Sequence, residues 1–167
     1  MKILVTGGAG FIGHHFVEHV LKNTDYEIVI MDRISRVGSL SRLLDIEGWE
    51  YKWAKSGRVR FIWHDLRGAI NKLTSMEIGK VSHIFHFAAS SNVDDSIANP
   101  VRFVMDNEVG TCNLMLWALD NLTLGGKFFN FSTDEVFGPA AEGYDYKEDD
   151  RWRPSNPYSA SKAGQTA

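Results

Sequence analysis

Seven residues near the N-terminus constrain the fold more than anything else in the chain. An apolar run, Lys2–Thr6, leads directly into Gly7-Gly8-Ala9-Gly10-Phe11-Ile12-Gly13, and an amphipathic stretch follows. Glycines spaced G-x-x-G-x-x-G between a strand and a helix serve three ends. They turn the chain tightly, let backbone N–H groups approach a pyrophosphate, and let the helix pack close on the sheet. The helix N-terminus adds a field that favours anions. A phosphate loop of the Walker type is excluded, because no Gly-Lys-Ser/Thr follows.

Beyond this loop the pattern alternates. Strands are predicted at Lys2–Thr6, Glu27–Met31, Val59–Trp63, His83–Ala88 and Lys127–Phe131. Helices are predicted at Phe11–Asn23, Ser39–Ile46, Ala69–Ile78, Pro100–Leu119 and from Tyr158 onward. In the first helix Phe11, Ile12, Phe16, Val17, Val20 and Leu21 recur at helical spacing, which predicts one apolar face. Trp49–Gly57 has no clear period and reads as a loop or hairpin. Gly138–Pro154, rich in Gly, Pro, Asp and Glu, reads as a loop. Strands alternating with helices predict an α/β fold, a Rossmann-type doubly wound parallel sheet.

Composition narrows the function classes. The chain has 167 residues, 21 acids and 18 bases, for a formal charge of −3. Nucleic-acid binders normally show a basic stripe, so no nucleic-acid partner is expected. Hydrophobic residues make up 44% and charged residues 23%, which argues against intrinsic disorder. No apolar run reaches about 18 residues, so no membrane span is expected. Cys112 stands alone, which rules out an internal disulfide and a Cys-based zinc site and favours a reducing, cytoplasmic setting. Within its helix Cys112 is expected as a small packing residue. His15 and His19 have an i, i+4 spacing, but no third ligand lies near them and no metal is expected. His83 and His86, in a buried strand, are expected to pack rather than ligate. The tryptophans Trp49, Trp53, Trp63, Trp117 and Trp152 are scattered, unlike a base-stacking platform.

Asp32 closes the second strand. An acid there can accept hydrogen bonds from ribose hydroxyls and would repel a 2′-phosphate, which favours NAD over NADP. Arg33 and Arg36 lie just beyond and could cradle a phosphate. Asp65 ends the third strand, where it could meet the adenine edge or serve as a turn or cap residue. Ala88-Ala89-Ser90 ends the fourth strand with side chains small enough for a dinucleotide to pass.

Two further motifs carry chemistry. Ser132-Thr133-Asp134-Glu135-Val136-Phe137-Gly138 directly follows the fifth strand, and Tyr158-Ser159-Ala160-Ser161-Lys162 opens the last helix. Positions i and i+4 share a helix face, so Tyr158 and Lys162 are expected as neighbours. A nearby ammonium favours phenolate and would bring tyrosine, normally near a pKa of about 10, toward use as a base. Asp134-Glu135 can equally be an acidic cap and first helical turn.

Together these motifs resemble the extended short-chain dehydrogenase/reductases, in the NAD-dependent epimerase/dehydratase group that acts on nucleotide sugars. The matching pieces are Gly7–Gly13, Asp32, Asp65-Leu66, His86-Phe87-Ala88-Ala89, Asn107-Glu108-Val109-Gly110-Thr111, Ser132–Gly138 and Pro157–Lys162. Within that group the Ser-Thr-Asp-Glu-Val-Phe-Gly run is most similar to the dTDP-glucose 4,6-dehydratases. The resemblance implies NAD as cofactor, held by Gly7, Gly10, Phe11, Ile12, Gly13, Asp32, Asp65, Leu66, Ala88, Ala89, Ser90, Asn107, Ser132, Tyr158 and Lys162. It implies a catalytic set of Thr133, Asp134, Glu135, Tyr158 and Lys162. Tyr158 would act as base at the sugar C4 hydroxyl, with Thr133 bonded to the same hydroxyl. Glu135 would remove the C5 proton and Asp134 would protonate the departing C6 hydroxyl, while Lys162 would hold the nicotinamide ribose.

Two departures bear on the substrate. Ser90-Ser91-Asn92-Val93-Asp94 stands where the dehydratase pattern has Glu-Ser-His-Val-Asp, and Phe137 stands where tyrosine is usual. A dTDP-glucose partner is expected, with a UDP-sugar 4-epimerase or another epimerase or decarboxylase of the group as the alternative. Five strands are predicted, one fewer than a full sheet of this type. Residues 1–167 therefore read as a dinucleotide-binding domain without its last strands and substrate domain, with marginal stability expected for the isolated chain. A cofactor module without catalysis is the other reading of that length. The resemblance also implies a homodimer, packed through Pro100–Leu119 and the helix that begins at Tyr158.

Overall fold

The computed structural model describes every residue except Arg36, which was one of the two arginines expected to bear on a phosphate and lies outside the described residues. Five parallel strands form one sheet: β1 (Lys2–Thr6), β2 (Glu27–Asp32), β3 (Val59–Trp63), β4 (Val81–His86) and β5 (Leu122–Asn130). Their spatial order is β3-β2-β1-β4-β5, as a Rossmann-type doubly wound sheet requires. After β3 the chain crosses to the other side of β1, so a crevice opens where the carboxyl ends of β1 and β4 diverge.

The two-residue period of each strand divides the core into two layers. Ile3, Val5, Ile28, Ile30 and Val59 face one side and pack on Val17, Val20 and Leu21 of α1 (Phe11–Asn23) and Leu43 of α2 (Leu40–Leu44). Leu4, Val29, Met31, Ile62 and Ile84 face the other side and pack on Ile78 of α3 (Lys72–Ile78) and on Leu114, Trp117 and Ala118. Burial on both faces explains why β1 and β2 read as continuous apolar runs.

Several elements depart from the sequence expectation. The apolar face of α1 is Gly13, Val17, Val20 and Leu21, whereas Phe11 and Ile12 are 70% and 65% exposed at its start. Trp49–Trp53 is a π-helical turn rather than a loop, closed by Ala54 N–H donating to Trp49 C=O at 2.8 Å and anchored by buried Trp53. A short helix, α4 (Val93–Ala98), was not anticipated; Asn92 caps it through Asp95 N–H. The long helix is three pieces: α5 (Pro100–Phe103), a π-helical segment (Val104–Val109) and α6 (Gly110–Asn121). β5 starts at Leu122 because residues 123–126, with Gly125 at φ 78°, bulge opposite Ser82 before pairing resumes. Cys112 is exposed on α6, not packed. A short 3₁₀ turn (Asp134–Phe137) precedes the last helix, α7 (Pro157–Thr166), which a capping box at Asn156 and Ser159 opens. Among the described residues no helix is long and apolar enough to cross a membrane.

Candidate active site and cofactor cleft

The glycine loop sits at the crevice. Gly7 adopts φ +69°, and a Cβ there would lie 2.7 Å from the backbone N of Ala88. Only glycine lets the β1 end abut the β4 end this closely. The first turn of α1 holds no acid, and its cap residue Gly10 offers no side chain. The leading N–H groups of the helix therefore remain available to an anion.

A cleft of about 630 Å³, open to solvent, runs from this loop across the strand ends. Gly7, Gly10, Asp32, Asp65, Leu66, Ala88 and Ala89 line it. Asp32 Oδ2 accepts from Ala9 N–H at 3.0 Å and Oδ1 from Ile34 N–H at 2.8 Å. A carboxylate has about four acceptor sites, so these two bonds leave room for ribose hydroxyls. The carboxylate of Asp65 does form a turn, accepting from Arg67 N–H at 3.0 Å. Burial alone would push its pKa up. Hydrogen bonds from the Arg67 side chain and backbone, with the charges of Arg33 and Arg67, overcome that and hold it at about 2.

The remaining predicted cofactor residues lie outside the cleft wall. Phe11 and Ile12 project into solvent, and Gly13 packs beneath the loop against Gly7 and Gly8. Ser132 is exposed, its hydroxyl 2.8 Å from that of Thr166. Ser90 and Asn107 belong to a buried network below the cleft. Asn107 Oδ1 accepts from Ser90 N–H at 2.7 Å, and its amide donates to Ser90 C=O and to Ser161 Oγ. Ser161 Oγ in turn donates to Tyr158 C=O, so Asn107 ties α7 to the β4 end.

His86 extends this network and fixes its own tautomer. Thr111 Oγ1 donates to Asn107 C=O at 2.6 Å, so it accepts from His86 Nε2–H at 2.7 Å. Nδ1 is then the unprotonated nitrogen and accepts from Thr6 Oγ1 at 2.6 Å. Burial, with a smaller contribution from the charge of Lys162, lowers the His86 pKa to about 3. The ring is a neutral structural bridge between β1, β4 and α6.

Sequence reasoning missed Asp106. It projects from the π-helical segment, 8% exposed, and grips Arg33 with both oxygens, at 2.6 and 2.7 Å. Ser90 Oγ donates to the same carboxylate at 2.6 Å. The available signal was an acid directly before Asn107, four residues after Arg102 in the same helical stretch.

The acid pair follows β5. Thr133 caps the 3₁₀ turn, its hydroxyl accepting from Glu135 N–H at 3.4 Å. Asp134 and Glu135 thus fill the first turn, as the alternative reading has it, but the cap is Thr133 and not an acid. Asp134 is exposed, while Glu135 is half-buried and accepts from Asn156 Nδ2 at 3.1 Å. Both line a separate open recess with Gly138, Pro139, Ala140, Tyr146 and Ser155. Tyr158 is buried on α7 beside them. Its pKa is raised, mainly by burial and further by the charges of Glu135 and Asp134, although a hydrogen bond with Thr133 pulls the other way.

That corrects the expectation for the Tyr158–Lys162 pair. Lys162 Nζ donates to Phe131 C=O at 2.6 Å and to Gln165 Oε1. The ammonium is bonded just beyond the end of β5 and not to the phenol, and burial lowers its pKa to about 8. Both residues are buried on one helix, but Lys162 does not act on Tyr158 in this geometry.

Comparison with known proteins agrees with the fold. Residues 4–167 match the family model described as GDP-mannose 4,6 dehydratase. A low-salt glycan biosynthesis protein of Haloferax volcanii is 39% identical over 98% of this chain. The crystal structure of a dTDP-glucose 4,6-dehydratase from Streptomyces venezuelae with NAD bound superposes with TM-score 0.85 at 37% identity over 99% of this chain. A UDP-Glc/GlcNAc 4-epimerase from Campylobacter jejuni gives TM-score 0.82 at 34% identity over 99% of this chain. The chain spans about half the length of these relatives, 49%, 49% and 46% respectively. With a family model matched over nearly its whole length, the chain belongs to the GDP-mannose 4,6 dehydratase family.

Proposed function

We propose that this chain is the cofactor-binding and catalytic portion of an NAD-dependent nucleotide-sugar 4,6-dehydratase, with dTDP-glucose as substrate. The observation that carries this reading is Thr133-Asp134-Glu135 poised beside Tyr158, with the two acids in different surroundings. A dehydration needs one carboxyl as base and one as acid. Glu135, sheltered and fixed by Asn156, suits removal of the C5 proton. Asp134, exposed, would draw from solvent the proton it delivers to the departing C6 hydroxyl. Tyr158 and Thr133 suit the C4 hydroxyl, and Tyr158 would take its proton only after losing its own, because the ligand-free chain holds it as a phenol.

The cleft fits a dinucleotide on this structure's own terms. Gly7 leaves a cradle that a Cβ would fill, the start of α1 is uncapped, and Asp32 retains acceptor capacity. Gly7, Gly10, Asp32, Asp65, Leu66, Ala88 and Ala89 would hold the adenosine and pyrophosphate. NAD supplies a hydride acceptor for C4 and a donor for C6 when bound. Lys162 has a third N–H beyond those given to Phe131 C=O and Gln165 Oε1, and would offer it to a nicotinamide ribose.

The exposed apolar residues Cys112, Met115, Leu116 and Leu119 recur at i, i+3, i+4 and i+7 along α6. Such a stripe fits a homodimer contact. The proposal is tested by incubating the intact protein with dTDP-glucose. A 4-keto-6-deoxy product supports it; inversion of UDP-galactose at C4 without water loss would assign the epimerase reading instead.

A further inference from the structure

Arg33 directly follows Asp32, and both line the cleft. A guanidinium beside the ribose acid is the natural ligand for a ribose phosphate, because its planar fork matches phosphate oxygens. Here that fork is occupied. Its two terminal nitrogens meet the two oxygens of Asp106 at 2.6 and 2.7 Å, and Asp65 lies 3.4 Å from one of them. Asp106 is itself held by Ser90 Oγ at 2.6 Å and flanked by Arg102 Nε at 3.5 Å. The π-helical segment between α5 and α6 delivers it there, and both its oxygens are committed. Arg67, the other described guanidinium on the cleft wall, is bonded to Asp65.

We propose that Asp106 is a specificity-determining residue: by clasping Arg33 it withholds the guanidinium that follows Asp32 from a ribose 2′-phosphate, and so makes the cleft selective for the unphosphorylated dinucleotide. Asp32 contributes repulsion at the ribose. Asp106 contributes a second, separable device, since it controls whether a cation is free to compensate that repulsion. Arg33 is accordingly a latent phosphate ligand, restrained rather than absent. This rests on the reading that the cleft takes a dinucleotide.

The test is calorimetric titration of the intact protein with NAD+ and with NADP+, comparing wild type, Asp106→Asn, Arg33→Lys and the double variant Asp106→Asn/Arg33→Met. Asn at 106 keeps the shape and the Ser90 contact but removes the charge. Lys at 33 keeps a cation but cannot form the fork. Asp106→Asn is expected to shift the NADP+ to NAD+ affinity ratio at least about tenfold toward NADP+, or about 1.4 kcal/mol. Arg33→Lys, still facing Asp106 and without the fork, is expected to stay near the wild-type ratio, and the double variant to lose the gain. An unchanged ratio in Asp106→Asn overturns the proposal. Retention of the full gain in the double variant also overturns it, because the effect would then not run through Arg33. Should Asp106→Asn fail to fold, Asp106→Ser carries the same comparison. Failure of the wild type to bind either dinucleotide overturns the underlying cleft assignment, a different result from binding without altered selectivity.

Discussion

Tyr158 and Lys162 lie one turn apart on the buried face of α7, yet the ammonium of Lys162 is bonded to the carbonyl of Phe131, not to the phenol. The phenol is left to burial and to the acids at 134 and 135, which raise its pKa above the ordinary 10.0. In the ligand-free chain Tyr158 should therefore be a phenol throughout the neutral range. Carbon-13 labelling of the tyrosines checks this: the resonance lost in Tyr158→Phe should titrate above that of free tyrosine. A Tyr158 resonance titrating well below it would show that Lys162 does reach the ring.

Lys162 itself should leave a signature at alkaline pH. Its pKa in the folded chain, about 8, lies below the ordinary lysine value of 10.5. Between those values the unfolded chain binds more protons, so stability rises with pH across that window. Denaturant unfolding from pH 8 to 10 should show that rise in the wild type and lose it in Lys162→Met.

His86 predicts an acid-side counterpart. The unfolded ring takes a proton near 6.5, whereas the folded ring resists until about 3. Its contribution is complete above 6.5 and is lost as pH falls toward 3, by up to about 1.4 kcal/mol per pH unit. At pH 7, His86→Gln should cost about 1–3 kcal/mol by disturbing the hydroxyls of Thr6 and Thr111. That cost should shrink between pH 6 and 4.5. A cost independent of pH would show that the ring is not held neutral.

Gly7 tests the cradle. Alanine at φ +69° is strained, and its methyl would meet Ala88 at 2.7 Å. Gly7→Ala should destabilise by about 2 kcal/mol or more and abolish measurable NAD binding. Unimpaired NAD binding would remove the loop from the cofactor site.

Much of this was legible because it depends on local rules. The apolar runs at Lys2–Thr6 and Glu27–Asp32, the glycine loop between β1 and α1, and the acid closing β2 are each dictated by neighbours in sequence. The errors lie where distant partners decide. Phe11 and Ile12 fit the helical period but start α1 on its open side. Trp49–Trp53 has no period, yet Trp53 finds the core and winds a π-helical turn. The direction of Lys162 is set by the carbonyl of Phe131 just beyond β5, and the role of Asp106 by an arginine 73 positions away. Spacing along the chain says nothing about either.

The acid pair carries the chemical claim. In the intact protein Glu135→Gln should lower dehydration by about 10²–10⁴-fold, the usual contribution of a positioned acid–base group. Asp134→Asn should fall in the same range. Product formation within a few-fold of wild type in both would return Asp134-Glu135 to a capping role alone.

The most direct measurement is product analysis by mass spectrometry and NMR after incubation of the intact protein with NAD and dTDP-glucose in deuterated water. The account predicts a 4-keto-6-deoxy sugar, short of the substrate by one water and carrying solvent deuterium at C5. Recovery of a C4 epimer with no water lost and no deuterium at C5 would contradict it.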